Sequence, residues 1–279
     1  MILTERLYEM RINKLFSNLG ICSRKETNKL IEQKRIKING EYCVLGQWVE
    51  DNDEILFDGE RVKSMEKVYL AFYKPKGITC TLEKNAQGNI GEYINYNQYV
   101  FPVGRLDKDS EGLIILTNDG VFSNHILECD NKHEKEYIVK VDKAFDDNFL
   151  LSMRTGVEIS AKSGSGVKRI SDSEGIVIKD GKDEIIMLDE AKNGKMKKDI
   201  VKTRPCKVER INEDTFKIIL TQGLNRQIRK MSSVLGYKVI SLKRIRIMNI
   251  HLDYLECGEY RLIPKEHIDE LMKTNYKNT

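Results

Sequence analysis

A chain of 279 residues, 40% hydrophobic and 32% charged, can bury a substantial core, and its length admits one large domain or two smaller ones. Recurrent apolar runs argue against disorder; the charged start (Glu5, Arg6, Glu9) lacks the apolar core of a secretory signal, and no apolar stretch is long enough to span a membrane, so a cytoplasmic protein is expected. The net charge of +4 is modest, but its distribution is not even.

Apolar positions Leu7, Ile12, Leu15, Phe16 and Leu19 are spaced for a helix over 7–19, stopped by Gly20. Ser23 and Glu26 form a capping-box pattern that starts a second helix. Ile36–Ile38 reads as a strand followed by the Asn39-Gly40 turn, and further short strands end at Asp58-Gly59. Between Arg6 and Lys37 nine Lys or Arg face three Glu, whereas 41–60 holds seven acidic residues and no Lys or Arg. Two basic helices and a small acidic-edged sheet make a unit of residues 1–62, with Ser64–Lys67 as linker and a second domain over 66–272.

That domain opens with a strand, Val68–Tyr73, and the turn Lys74-Pro75-Lys76-Gly77. The run 99–103 leads into Gly104-Arg105-Leu106-Asp107-Lys108-Asp109-Ser110-Glu111-Gly112 and a strand over 113–116; a helix over 121–127, a strand over 136–141 and a helix over 145–153 follow. Residues 158–203 turn Gly-, Ser-, Lys- and Asp-rich, which reads as an insertion with a hairpin. Strands near 206–211 and 216–220, a helix over 225–235, a strand over 238–247 and a helix over 265–272 complete the chain. A second basic segment, 202–246, holds twelve Lys or Arg against three acids. Two basic segments suit a polyanion held at two points. Strands that follow one another directly predict an α+β fold with a mainly antiparallel mixed sheet.

Several chemistries fail on spacing. The six cysteines (Cys22, Cys43, Cys80, Cys129, Cys206, Cys257) form no C-x-x-C pair and the four histidines supply no zinc set, so reduced, mostly buried thiols and no metal are expected. Asp107-x-Asp109-x-Glu111-Gly112 imitates the start of a calcium loop, but Asn118 stands where the bidentate Glu belongs. There is no phosphate-loop motif. Taken singly, Asp107 could be an ordinary turn aspartate, Tyr137 a strand aromatic and Arg229 a surface arginine.

Together, Phe101–Leu113, His133-Glu134-Lys135-Glu136-Tyr137 and Gln222–Met231 resemble, in order, the catalytic, tyrosine and late arginine motifs of the RsuA-type bacterial rRNA pseudouridine synthases. Arg11-Ile12-Asn13-Lys14 with Ser23-Arg24-Lys25-Glu26 is similar to the S4 RNA-binding module those enzymes carry. The wording of 101–112 and 244–249 follows the large-subunit (23S) pseudouridine synthase F group; the stretch 158–203 is longer than the pattern.

The resemblance implies a cofactor-free isomerisation of uridine to pseudouridine. Asp107 would be the catalytic carboxylate, Arg229 its ionic partner and Tyr137 the platform for a flipped base. Arg105 and Arg226 would contact RNA, Ile228 would wall the uracil pocket, and Lys14, Arg24, Lys25 and Arg35 would grip the backbone. The implied partner is ribosomal RNA, with 23S rRNA or a ribosomal assembly intermediate as the expected target and 16S rRNA or tRNA as alternatives; a monomer is expected. Two rivals stand beside it: a non-catalytic RNA-binding assembly factor, which needs basic surfaces but not the Asp–Tyr–Arg trio, and a glycosidic hydrolase, which needs a second carboxylate such as Asp109 or Glu111.

Overall fold

The structure, a computed structural model, describes residues 9–82, 87–127, 133–161 and 199–273, together with the backbones of three short strands between 168 and 184. The N-terminal unit comprises β1 (Met10–Arg11), α1 (Ile12–Asn18), α2 (Arg24–Glu32), β2 (Ile36–Ile38), β3 (Glu41–Tyr42), β4 (Trp48–Val49), β5 (Ile55–Phe57) and β6 (Glu60–Arg61). Its sheet runs β3-β2-β5-β6, and β1 pairs with β4. The capping box at α2 is complete: Ser23 Oγ accepts from the Glu26 N–H, and the Glu26 carboxylate accepts from the Ser23 N–H. The expected first helix is corrected at its start. Met10 and Arg11 are extended because their backbone pairs with Val49 and Trp48, a contact that helical spacing cannot reveal; residues 7 and 8 lie outside the described residues. Ile12, Phe16, Ile31, Ile36, Ile38 and Val49 fill the unit's own core, each such burial contributing roughly 1.5–3 kcal/mol.

The larger sheet is built from β7 (Tyr69–Lys74), β8 (Phe101–Val103), β9 (Glu111–Thr117), β10 (Lys135–Val141), β16 (Lys207–Arg210), β17 (Thr215–Leu220), β18 (Val239–Ile247), β19 (Ile250–His251) and β20 (Tyr260–Leu262). Helices α3 (Gly120–Leu127), α4 (Asp147–Thr155), α5 (Gln227–Val234) and α6 (Lys265–Lys273) pack on it. The strand order is β16-β17-β10-β18-β9-β7-β20, with β19 on β18 and β8 on β9. Among the described residues every neighbour pair of this sheet is antiparallel except β18–β9, where Lys243 faces Glu111 and Arg244 faces Gly112. The α+β class and the mainly antiparallel mixed sheet read from the sequence are therefore what the chain adopts. Asp146 caps α4 by accepting from the Phe149 N–H, which moves that helix two residues past its expected start.

The base of the 158–203 stretch is an antiparallel ladder of β11 (Glu158–Ala161) and β15 (Asp199–Lys202). Between them β12 (Lys168–Arg169), β13 (Val177–Lys179) and β14 (Lys182–Glu184) form a three-stranded antiparallel sheet, and the other residues of 162–198 lie outside the described residues. Of the thiols, Cys43 is buried, Cys22, Cys80 and Cys206 are half-buried and Cys257 is exposed, all unbridged; Cys129 lies outside the described residues.

The parallel junction requires glycine. Gly112 has φ of +107°, and a Cβ there would lie 2.2 Å from the Arg244 carbonyl oxygen. Gly112→Ala is expected to destabilise the fold by about 3 kcal/mol or more, read as a lower thermal midpoint; an unchanged midpoint would show that β9 and β18 separate freely.

Candidate active site

Asp107 sits in loop 104–110, which has no regular structure and is held from several sides. The Lys74 ammonium, fully buried, donates to the carbonyls of Pro75 (2.8 Å) and Ser110 (2.7 Å). Burial lowers the Lys74 pKa from its usual value, and the two carbonyls offset part of its lost hydration. The Gly77 N–H donates to Lys108 O (2.7 Å), the Cys80 sulfur contacts both the N–H and the carbonyl of Leu106 (3.2 Å each), and the Leu106 side chain is buried. The Arg229 guanidinium donates to Asp109 O (2.8 Å) and Ser110 Oγ (3.3 Å).

The loop forms one wall of a cleft of about 540 Å³. Asp107, Arg105, Tyr137, Arg226 and Ile228 all line it, as do Leu242 and Arg244 from β18. Three segments far apart in sequence therefore meet at the sheet's parallel junction. Tyr137 lies opposite Ile218 of β17 on one side and Arg244 of β18 on the other, beside a β-bulge that skips Ile245. Ile228, 3% exposed, supplies apolar wall.

The arginines divide differently from the expectation. Arg226, not Arg229, makes the ion pair to Asp107, at 3.6 Å. Arg226 also forms a two-pronged contact with Asp109, both hydrogen bonds 2.9 Å long. Arg229 approaches the Asp109 carboxylate at 3.4 Å and donates to Val239 O as well as to the loop. The reason is local: α5 starts at Gln227, so Arg226 is its left-handed N-cap (φ +53°, ψ +34°) and projects differently from a residue one helical turn before Arg229. Such a conformation costs a non-glycine residue about 1 kcal/mol. The Arg226 hydrogen bonds hold the Asp109 carboxyl below the usual carboxylate range. That pairing persists through neutral pH and is lost only as pH falls through the lowered pKa.

Sequence reasoning passed over Asp109 as a partner, Lys74 and Arg244. Lys74 ends an apolar run, which hid it. Arg244 is two residues from buried Leu242 in an alternating strand, and that period was the available signal. Of the proposed backbone-gripping residues, Arg24 and Lys25 are exposed and Lys14 is half-buried. Arg35 is also exposed, and its guanidinium pairs with Asp58 and lies over the Phe57 ring.

A largely antiparallel sheet with one parallel junction, an aspartate loop and an arginine-rich helix start defines the class. Residues 68–233 match the family described as RNA pseudouridylate synthase, and the chain belongs to that family. It is similar to the dual-specificity RNA pseudouridine synthase RluF of Escherichia coli, with 38% identity over 95% of this chain and 79% of that protein. It also resembles the ribosomal large subunit pseudouridine synthase B of Bacillus subtilis, with 26% identity over 94% of this chain and 95% of that one. A solved structure titled a pseudouridylate synthase superposes with a TM-score of 0.59 and 26% identity, covering 94% of this chain and 99% of that one.

Asp109→Asn removes the charge that holds both arginines. Because the Asp109 and Arg226 side chains are each 42% exposed, stability should change by under about 1 kcal/mol, while turnover should fall about tenfold or more through misplacement of the loop. Urea unfolding and initial rates of pseudouridine formation check the pair of outcomes.

Proposed function

We propose that this enzyme isomerises uridine to pseudouridine in ribosomal RNA of the large subunit, with Asp107 as the reacting carboxylate. The supporting observation is the convergence of Asp107 and Tyr137 on one cleft, with Arg226 3.6 Å from the carboxylate. The target base must leave the RNA stack to enter such a cleft, and Tyr137 offers an aromatic face for it, with Ile228 beside it. The bond from the anomeric carbon to ring nitrogen 1 breaks, the base turns, and a bond forms to carbon 5. Nitrogen 1 ends with a proton and carbon 5 loses one, so nothing is consumed overall. An ionised carboxylate can trap the sugar carbon or take the carbon 5 proton. Arg226 serves as its ionic partner, and Arg229 orders the loop behind it.

The N-terminal unit is read as an S4-like RNA-binding module, with residues 1–62 gripping structured RNA through Lys14, Arg24 and Lys25, and 66–272 as the catalytic domain. The large-subunit assignment rests on the name of the Bacillus subtilis relative and on the sequence wording. The "dual-specificity" name of the Escherichia coli relatives supports a second reading in which another RNA, such as tRNA, is also modified. No helix among the described residues is long and apolar enough to cross a membrane, and a ribosomal substrate suits a cytoplasmic, monomeric enzyme.

Transcripts of large-subunit rRNA, small-subunit rRNA and tRNA, tritiated at uridine carbon 5, test the reading. Release from large-subunit rRNA, with pseudouridine and no free base recovered, is expected. Free uracil would favour a hydrolase, and tight binding without release a non-catalytic factor. Asp107→Asn should abolish release while leaving RNA affinity within about threefold, since one carboxamide replaces one carboxylate of equal size. Retained turnover would remove Asp107 from the chemistry. Arg24→Glu with Lys25→Glu should weaken RNA binding and flatten its dependence on salt by about two phosphate contacts; an unchanged salt slope would place the RNA elsewhere.

A further inference from the structure

Arg244 belongs to none of the three motifs, yet among the Asp, Glu, Lys and Arg residues lining the cleft it is the one that is buried, at 4% exposure. Its Nε donates to Leu113 O at 2.7 Å, which fixes the guanidinium against β9. Its Nη2 is also buried and makes no hydrogen bond. A buried guanidinium N–H without an acceptor is costly and rarely left so. Arg244 lines the cleft, so a ligand seated there can supply the acceptor that this donor lacks.

The register identifies what that is. Arg244 and Tyr137 face one another across β10 and β18, so their side chains leave the sheet on the same side as near neighbours. A base stacked on the Tyr137 ring would bring its edge over Arg244. Phosphates, strongly hydrated, are better met by Arg105, which is exposed at the cleft, than by a side chain buried in its wall. We propose that Arg244 donates from Nη2 to a ring carbonyl oxygen of the flipped uracil, and so holds the base in the rotation that presents carbon 5 to the sugar. Arg244 is thus a substrate-positioning residue, and because a guanidinium only donates, it also disfavours a base that presents an amino group at that position. This assignment rests on the reading of the cleft as the uridine site.

The test pairs a side chain with a substrate atom. Large-subunit rRNA transcripts are made with uridine, 2-thiouridine or 4-thiouridine, sulfur being a weak acceptor. Single-turnover rates are measured for the wild type and Arg244→Met by nucleoside chromatography, with thermal midpoints alongside. The wild type should slow about tenfold on one of the two thio-RNAs, and Arg244→Met should be slowed about tenfold to a hundredfold on uridine RNA. The variant should then show no further loss on that same thio-RNA, which identifies the oxygen contacted. A variant as fast as wild type, or a loss that multiplies independently with both thio effects, overturns the proposal. If Arg244→Met does not fold, Arg244→Lys carries the same comparison, because its shorter, rotatable ammonium shifts the contact. Absence of turnover by the wild type on every RNA would instead count against the functional reading itself.

Discussion

The hydrogen bonds of Lys74 and Arg229 to the backbone of loop 104–110 are the constraint on which the cleft depends. That loop cannot hold its own shape, because its carbonyls and N–H groups have no ladder or helix to satisfy them. A fully buried ammonium on one flank and a guanidinium on the other satisfy the carbonyls of Ser110 and Asp109 instead. Removing Lys74 would leave the carbonyl of buried Ser110 unpaired, and removing Arg229 would free the Asp109 carbonyl, so the loop is fixed more firmly than its sequence alone would allow. The Asp107 carboxylate inherits that rigidity.

The cleft also sorts its cations by depth. Arg105 and Arg226 are exposed, Arg229 is largely covered and Arg244 is buried. An exposed guanidinium remains hydrated and attracts phosphate over a distance set by ionic screening, whereas a buried one acts through directed hydrogen bonds. One residue type can therefore draw in a polyanion at the mouth, order a loop behind the wall and meet a base within it. Helix α3 ties this arrangement to the N-terminal unit. It starts against Asn18 of α1, with Met65 N–H donating to Leu19 O nearby, and it ends with Ile126 and Leu127 in the cleft wall. RNA held by the N-terminal unit would thus be registered against the cleft through one short helix.

Much of the fold was legible because its elements carry strong local patterns. The capping box at Ser23, the alternation of 136–141 and the glycine stop after α5 each describe a local free-energy preference, and the chain follows them. Of the elements of two or three residues, β2 was legible at Ile36–Ile38, but β1 and β20 were not. β1, β4 and β20 exist only because a partner strand satisfies their backbone, and a two-residue strand has no period to detect. The same distinction runs through the site. Asp107, Tyr137 and Ile228 were readable because the motif wording marks them, whereas the pairing of Arg226 with Asp107 and Asp109 was not.

The sequence by itself determined the α+β class, the order of the elements and the residue types that would surround the cleft, since these follow from periodicity, caps and motif spacing along the chain. Only the tertiary structure decided which arginine meets which carboxylate, why Gly112 admits no side chain, and that Arg244 lies buried beside Tyr137. Those outcomes depend on the distance between strands β9, β10 and β18, brought together across more than a hundred residues of chain, and on the left-handed turn at Arg226 that redirects one side chain by changing a single pair of backbone angles.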